Sequence, residues 1–242
     1  MSVSLTIVLP GDEIPSSALP KPQNQKKALT LGPGLRHIPP GTITTTIAGA
    51  LVTDNKKNAA WIEYNSGRYL PSTNDLIIAT VNTSSGEAFN CFITPNTPLA
   101  TLPHLAFEGA TKKTRPQLPP NALVYARVAN PGRDSIPELT CVDASGKGDG
   151  LGPLKGGMVF KISLGMARRL LAGRKKGEVV VLEGLSEKVG FEVAIGRNGY
   201  LWVDGGNVKT TLAVGRAVQE VDEQALGEKG QRKVVERVLK SL

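Results

Sequence analysis

The sequence predicts a multidomain chain, mainly β with an α+β C-terminus. Three observations carry this. Strand-length apolar runs separated by turn residues fill the chain as far as Val142, a glycine-dense break follows over Ala144–Pro153, and helical and strand-like patterns alternate beyond it. At 242 residues the chain exceeds one average domain, and length alone allows one, two or three small ones.

Residues 1–65 read as a small N-terminal β-module. Met1 to Leu9 has no positively charged leading region and is stopped by Pro10-Gly11-Asp12-Glu13, so it reads as a strand and turn rather than a signal peptide. Ser16 to Lys27 is polar and proline-rich, and is expected to be a loop or partly disordered. Leu31-Gly32-Pro33-Gly34-Leu35 is turn-rich, and Thr42 to Val52 is a β-branched run. Asn55-Lys56-Lys57-Asn58 then turns the chain into Ala59–Tyr64.

Residues 66–145 carry five short strand patterns, Leu76–Val81, Phe89–Ile93, Leu99–Leu105, Leu123–Val128 and Glu138–Val142, with Ser84-Ser85-Gly86 as a hairpin signal. Five strands at this spacing suit an OB barrel. Between the third and fourth lies Leu105 to Pro116, which places Lys112, Lys113 and Arg115 within four positions. A rigid barrel presenting such a loop holds single-stranded RNA by its phosphates, whereas a solvated loop is the plainer alternative. Arg127 and Arg133 are weaker phosphate candidates. His104 is expected on the barrel surface, stacked on a base or in a plain surface or packing role. Phe89, Phe92 and Phe107 are the only phenylalanines here, so stacking platforms are sparse and isolated affinity should be weak and salt-sensitive.

Residues 146–242 open on a linker that lacks the G-x-x-x-x-G-K-[ST] pattern of a phosphate loop. Met158–Ser163 reads as a strand, Leu164–Leu171 and Val179–Lys188 as helices, and Phe191–Ile195 and Tyr200–Val203 as strands. Gly196-Arg197-Asn198-Gly199 between those strands is a hairpin turn, with glycines that permit it and an Asn able to take a left-handed backbone. Val234, Val235, Val238, Leu239 and Leu242 mark one face of a final helix. Strand, helix, helix, strand, strand, helix is the order of a KH domain, whose RNA clamp is a G-x-x-G loop between its first two helices. Gly173-Arg174-Lys175-Lys176-Gly177 occupies that place with one residue too many, so the KH domain is degenerate.

The net charge of +8 favours a polyanionic partner. Cys91 and Cys141 form no C-x-x-C pair, which excludes a zinc motif and a disulfide framework and fits a reduced compartment. His37 and His104 have no neighbours at metal-ligand spacing, the carboxylates are scattered, and no G-x-S-x-G elbow is present. The sequence therefore predicts no enzyme, no metal and no cofactor. No apolar run approaches the roughly 20 residues that span a bilayer.

A β-module, an S1-type barrel and a degenerate KH domain in series resemble the ribosomal RNA-processing protein 40 family of cap subunits of the eukaryotic RNA exosome. The residues that carry the resemblance are Val8-Leu9-Pro10-Gly11-Asp12, Leu31-Gly32-Pro33-Gly34-Leu35, Phe107 to Lys113 with Arg115-Pro116, and Ile195 to Gly199 with Trp202-Val203. The resemblance implies a non-catalytic subunit, partnered by RNase PH-like ring subunits and two related cap subunits. That assembly passes single-stranded RNA to a separate 3′ to 5′ exoribonuclease. It also implies a structural Gly-x-Asn-Gly turn packed near the barrel, and residence in nucleus and nucleolus and also in cytoplasm. The alternatives from other classes are a free-standing S1/KH RNA-binding regulator and a ribosome-associated or translation factor.

Overall fold

The computed structural model describes residues 6–20, 28–55, 58–64, 68–95, 97–132, 135–173 and 179–242. The chain divides into two compact units, Met1–Asn65 and Ser66–Leu242.

In the first unit, β1 (Thr6–Val8), β5 (Gly49–Asp54), β6 (Ala59–Glu63) and β2 (Thr30–Leu31) lie side by side in that order, and β3 (Leu35–Ile38) pairs with β4 (Thr42–Thr45) as a separate ribbon. Val8, Ile14, Ile43 and Ile62 form its core. The run from Thr42 to Val52 is thus two strands in two different sheets, broken where the chain passes between them. Ser16–Ala18 is one 3-10 turn, whose Ala18, with the following Leu19, packs on the core, so this part of the polar insert is ordered. Lys21 to Lys27 lies outside the described residues.

The second unit starts with the barrel: β7 (Leu76–Ser84), β8 (Ala88–Phe92), β9 (Ala100–Pro103), β10 (Leu123–Asn130) and β11 (Glu138–Thr140). The sheet runs β11-β9-β8-β7-β10, and β11 pairs again with β10, which closes it. Among these five strands only the β9–β11 pairing is parallel, the strand order of an OB barrel. Strand alternation builds the core. On β10, Val124, Ala126 and Val128 point inward onto Ile77, Val81, Leu102 and Leu139, while Leu123, Tyr125 and Arg127 occupy the other face. Cys91 and Cys141 are free and buried there, and burial pushes both thiols up to about 12. Both are expected to resist iodoacetamide in the native protein and to react only as denaturant opens the barrel; native labelling at neutral pH, read by intact mass, would show the core to be open.

The glycine-dense stretch after Asp143 is more than a linker. Its end forms β12 (Gly152–Leu154), which pairs with β10 as a sixth strand before the chain enters the KH domain. That domain orders β13 (Met158–Lys161), β15 (Tyr200–Asp204) and β14 (Glu192–Gly196) into one sheet. Beside it lie α1 (Leu164–Leu171), α2 (Val181–Ser186), α3 (Val208–Glu223) and α4 (Glu228–Ser241). The expected order is present, with α3 as an additional long helix. Asn207 caps α3 through its side-chain oxygen, which accepts from Thr210 N at 2.7 Å, and Thr210, Val214, Ala217, Val218 and Val221 bury one face. Asp222 on α3 accepts from the N and Oγ of Ser163, both at 2.6 Å, and Ser163 in turn caps α1. Fully buried Gln231 on α4 accepts from Val180 N at 2.7 Å ahead of α2.

Barrel and KH sheet share an interface. Ile78, Ala194 and Trp202 are buried together, with Leu123, Tyr125, Leu154 and Tyr200 against them. Tyr125 donates its hydroxyl to Ile195 O at 3.1 Å, and Arg197 N donates to Leu76 O at 2.7 Å. The β14–β15 turn sits at the centre of this interface. Left-handed backbone there belongs to Gly199 (φ +81°), not to Asn198 as expected. Asn198 instead contributes a buried side chain: Oδ1 accepts from Ile78 N (3.2 Å), and Nδ2 donates to Ile78 O (2.8 Å) and Ile93 O (2.7 Å). The β7–β8 ladder ends at Thr80 and Phe92, and the Asn198 amide takes over beyond it. Gly196 is required because a Cβ there would lie 2.2 Å from Asn198 Oδ1 and 2.8 Å from Ile78 N.

Candidate nucleic-acid interface

The basic loop leaves β9 at Pro103 and is fastened before it reaches its cations. Phe107 is buried edge-on to Phe89, with ring centroids 6.4 Å apart. Cys141 N donates to Ala106 O at 2.9 Å, and Glu108 Oε2 accepts from Gly148 N at 2.9 Å. The tip is closed by two threonines. Thr111 N donates to Thr114 Oγ1 (3.0 Å), the two hydroxyls lie 2.9 Å apart, and Thr114 Oγ1 donates to Gly109 O (3.1 Å). Arg115 N closes the turn on Thr111 O at 2.9 Å. Lys112 and Lys113 are exposed between the threonines. Side-chain to backbone bonds of this kind fix short loops without regular structure, so the cations stand on a fixed frame.

His104 is buried, 4 % exposed, and does not lie on the barrel surface. Its ring packs 4.3 Å from that of Phe89, and its backbone N donates to Glu87 O, extending the β8–β9 ladder by one residue. The loop returns over it, and Arg115 Nη1 donates to His104 Nδ1 at 2.6 Å. So little of the residue is exposed that the ring presents no open face on which a base could stack. Burial first, and the Arg115 charge second, lower the His104 pKa, so the ring is neutral at pH 7.

Lys112 and Arg115 line an open groove of about 790 Å³ whose other walls include Glu87, Thr101, Leu105 and His104. Lys113 projects from the same tip without lining the groove. Arg127 is elsewhere. It is half-buried on the β10 face that carries Tyr125, its Nε is enclosed with no hydrogen-bond partner among the described residues, and its charge contributes to lowering the pKa of Asp143, which is set chiefly by Ser145. Arg133 lies outside the described residues, as do Arg174 to Gly177 of the degenerate KH loop. Sequence reasoning did not single out Thr111 and Thr114 as loop fasteners, although their i, i+3 spacing around two lysines was readable. Among the described residues no group of three His, Cys, Asp or Glu side chains is placed to hold a metal ion, and no helix is long and apolar enough to cross a membrane.

Comparison with known proteins follows the same three segments. Residues 29–68 match the family described as exosome complex exonuclease Rrp40 N-terminal domain, residues 69–152 the S1 domain of exosome complex component RRP40, and residues 157–209 a KH domain. The chain is 36 % identical to exosome complex component RRP40 of Drosophila melanogaster over 228 residues, 94 % of each chain. It is 36 % identical to the Schizosaccharomyces pombe protein of that name, over 90 % of this chain and 89 % of the relative. The Saccharomyces cerevisiae protein is 33 % identical over 89 % and 88 %. A crystal structure described as a candidate exosome complex RNA-binding protein shares the fold with a TM-score of 0.56, covering 71 % of this chain and 95 % of that one at 21 % identity. With its domain-by-domain matches and with relatives of similar length aligned nearly end to end, the chain belongs to the exosome complex component RRP40 family.

Proposed function

We propose that this chain is a non-catalytic RNA-binding cap subunit of the RNA exosome, stabilising the ring and guiding single-stranded RNA into its channel for 3′ to 5′ processing and decay. The observation that carries the reading is the Lys112, Lys113 and Arg115 loop, fastened at its base by Phe107 and Glu108 and at its tip by Thr111 and Thr114. Fixed cations beside an open groove attract a phosphate backbone without selecting bases, which is the task of a guide. The RRP40 names of its relatives support membership of the exosome complex. On this reading its partners are RNase PH-like ring subunits, the other cap subunits and a separate 3′ to 5′ exoribonuclease, and it works in nucleus, nucleolus and cytoplasm.

The test is triple charge reversal, Lys112→Glu, Lys113→Glu and Arg115→Glu, in the reconstituted complex. Decay of a long single-stranded substrate is expected to slow while assembly is unchanged. The log–log salt slope of RNA binding should fall by about 2, since each single-strand phosphate that is no longer neutralised removes roughly 0.7. Unchanged decay and slope would refute the guiding role.

A further inference from the structure

The basic loop contains one cation that is not simply exposed. Arg115 reaches back to the buried His104 ring, and the direction of that bond determines the state of the ring. A guanidinium has only donors, so Nδ1 must accept and carry no proton. A neutral ring then bears its proton on Nε2, which faces Ser84 Oγ at 3.2 Å, and the Ser84 hydroxyl in turn donates to Ser85 O at 3.4 Å. The three side chains form one directed chain from the loop to the β7–β8 hairpin. The charged groups around it are Arg115 and Lys112 from the loop and Glu87 from the hairpin, all lining the groove. Protonating Nδ1 would set an N–H against an N–H, and the lowered pKa of the ring agrees with the neutral form.

We infer that His104 is a positioning residue: as the neutral Nε2–H tautomer it holds the Arg115 guanidinium over the groove, with the N–H groups His104 does not use aimed at a phosphate of single-stranded RNA. The inference rests on the guiding role proposed above. An exposed arginine loses side-chain freedom when it grips an anion, and an arginine already held by an acceptor has lost it during folding. His104 supplies that acceptor from a ring immobilised against Phe89.

The test uses the intact chain and a fluorescent single-stranded oligouridylate at low salt. His104→Phe keeps a ring against Phe89 but removes the acceptor, and affinity should fall roughly threefold to tenfold, the range set by immobilising one long side chain. His104→Asn, whose side-chain oxygen falls near the Nδ1 position, should recover most of the loss. In an Arg115→Ala background His104→Phe should change nothing further. Wild-type affinity in folded His104→Phe, with Arg115→Ala weakened, overturns the inference, and so does wild-type affinity in Arg115→Ala; in either case the guiding role stands or falls separately, with the triple charge reversal. Should His104→Phe fail to fold, the side-chain ¹⁵N spectrum of the wild type decides. Neutral Nε2–H is the expected state, and an Nδ1-protonated or doubly protonated ring overturns the assignment.

Discussion

Asn198→Ala is expected to destabilise the Ser66–Leu242 unit by about 3–5 kcal/mol, since buried groups left without partners cost about 1–3 kcal/mol each. Three backbone groups are orphaned: Ile78 N, Ile78 O and Ile93 O. Asn198 is only 5 % exposed, which limits how well water can replace the amide. Asn198→Asp should be nearly as harmful. A carboxylate accepts from Ile78 N but cannot donate to either carbonyl, and it brings a charge into a buried site. Urea denaturation followed by Trp202 fluorescence measures the change, and hydrogen exchange should show reduced protection at Ile78 first. A destabilisation below about 1 kcal/mol would mean that the hairpin is held by its apolar packing alone.

Gly215→Ala is expected to destabilise by about 2 kcal/mol, overpacking of a well-filled core outweighing the roughly 1 kcal/mol that alanine gains over glycine inside a helix. Gly215 lies in the middle of α3, where a Cβ would meet the Phe160 ring at 2.2 Å. Phe160 is buried in the KH core with Val214, Val218 and Leu201, so the ring can give way only by displacing packed neighbours. Combining Gly215→Ala with Phe160→Leu should restore part of the stability, and a thermal midpoint that rises in the single variant would show that the ring yields easily.

The five barrel strands, the KH order and the basic loop were legible because each depends on local pattern: alternation along β10, turn residues at Ser84–Gly86, clustered cations after Gly109. The helix α3 was not, although Thr210, Val214, Ala217, Val218 and Val221 have helical spacing. Its Thr and Val content and its central glycine pull local propensity away from a helix, and packing against the KH sheet overrides that preference. The three-residue β12 contains a proline, and only its pairing with β10 makes it a strand. His104 and Asn198 show the sharper limit. A polar residue at a strand end is read as exposed, and an Asn before Gly as a turn former. What fixes their roles is Arg115 folding back over the ring, and Ile78 and Ile93, more than a hundred residues distant in sequence from Asn198.

The interface that joins β12, Asn198 and Trp202 to the barrel gives the second unit a property that neither half has alone. Two binding faces connected by a flexible tether must search for their sites separately, and the second arrives with an effective concentration limited by the length of the tether. Here only Lys155–Gly157 separate β12 from β13, and both strands belong to packed sheets. Whatever grips the KH face also fixes the heading of the basic loop, much as setting one blade of a rigid rotor sets the rest.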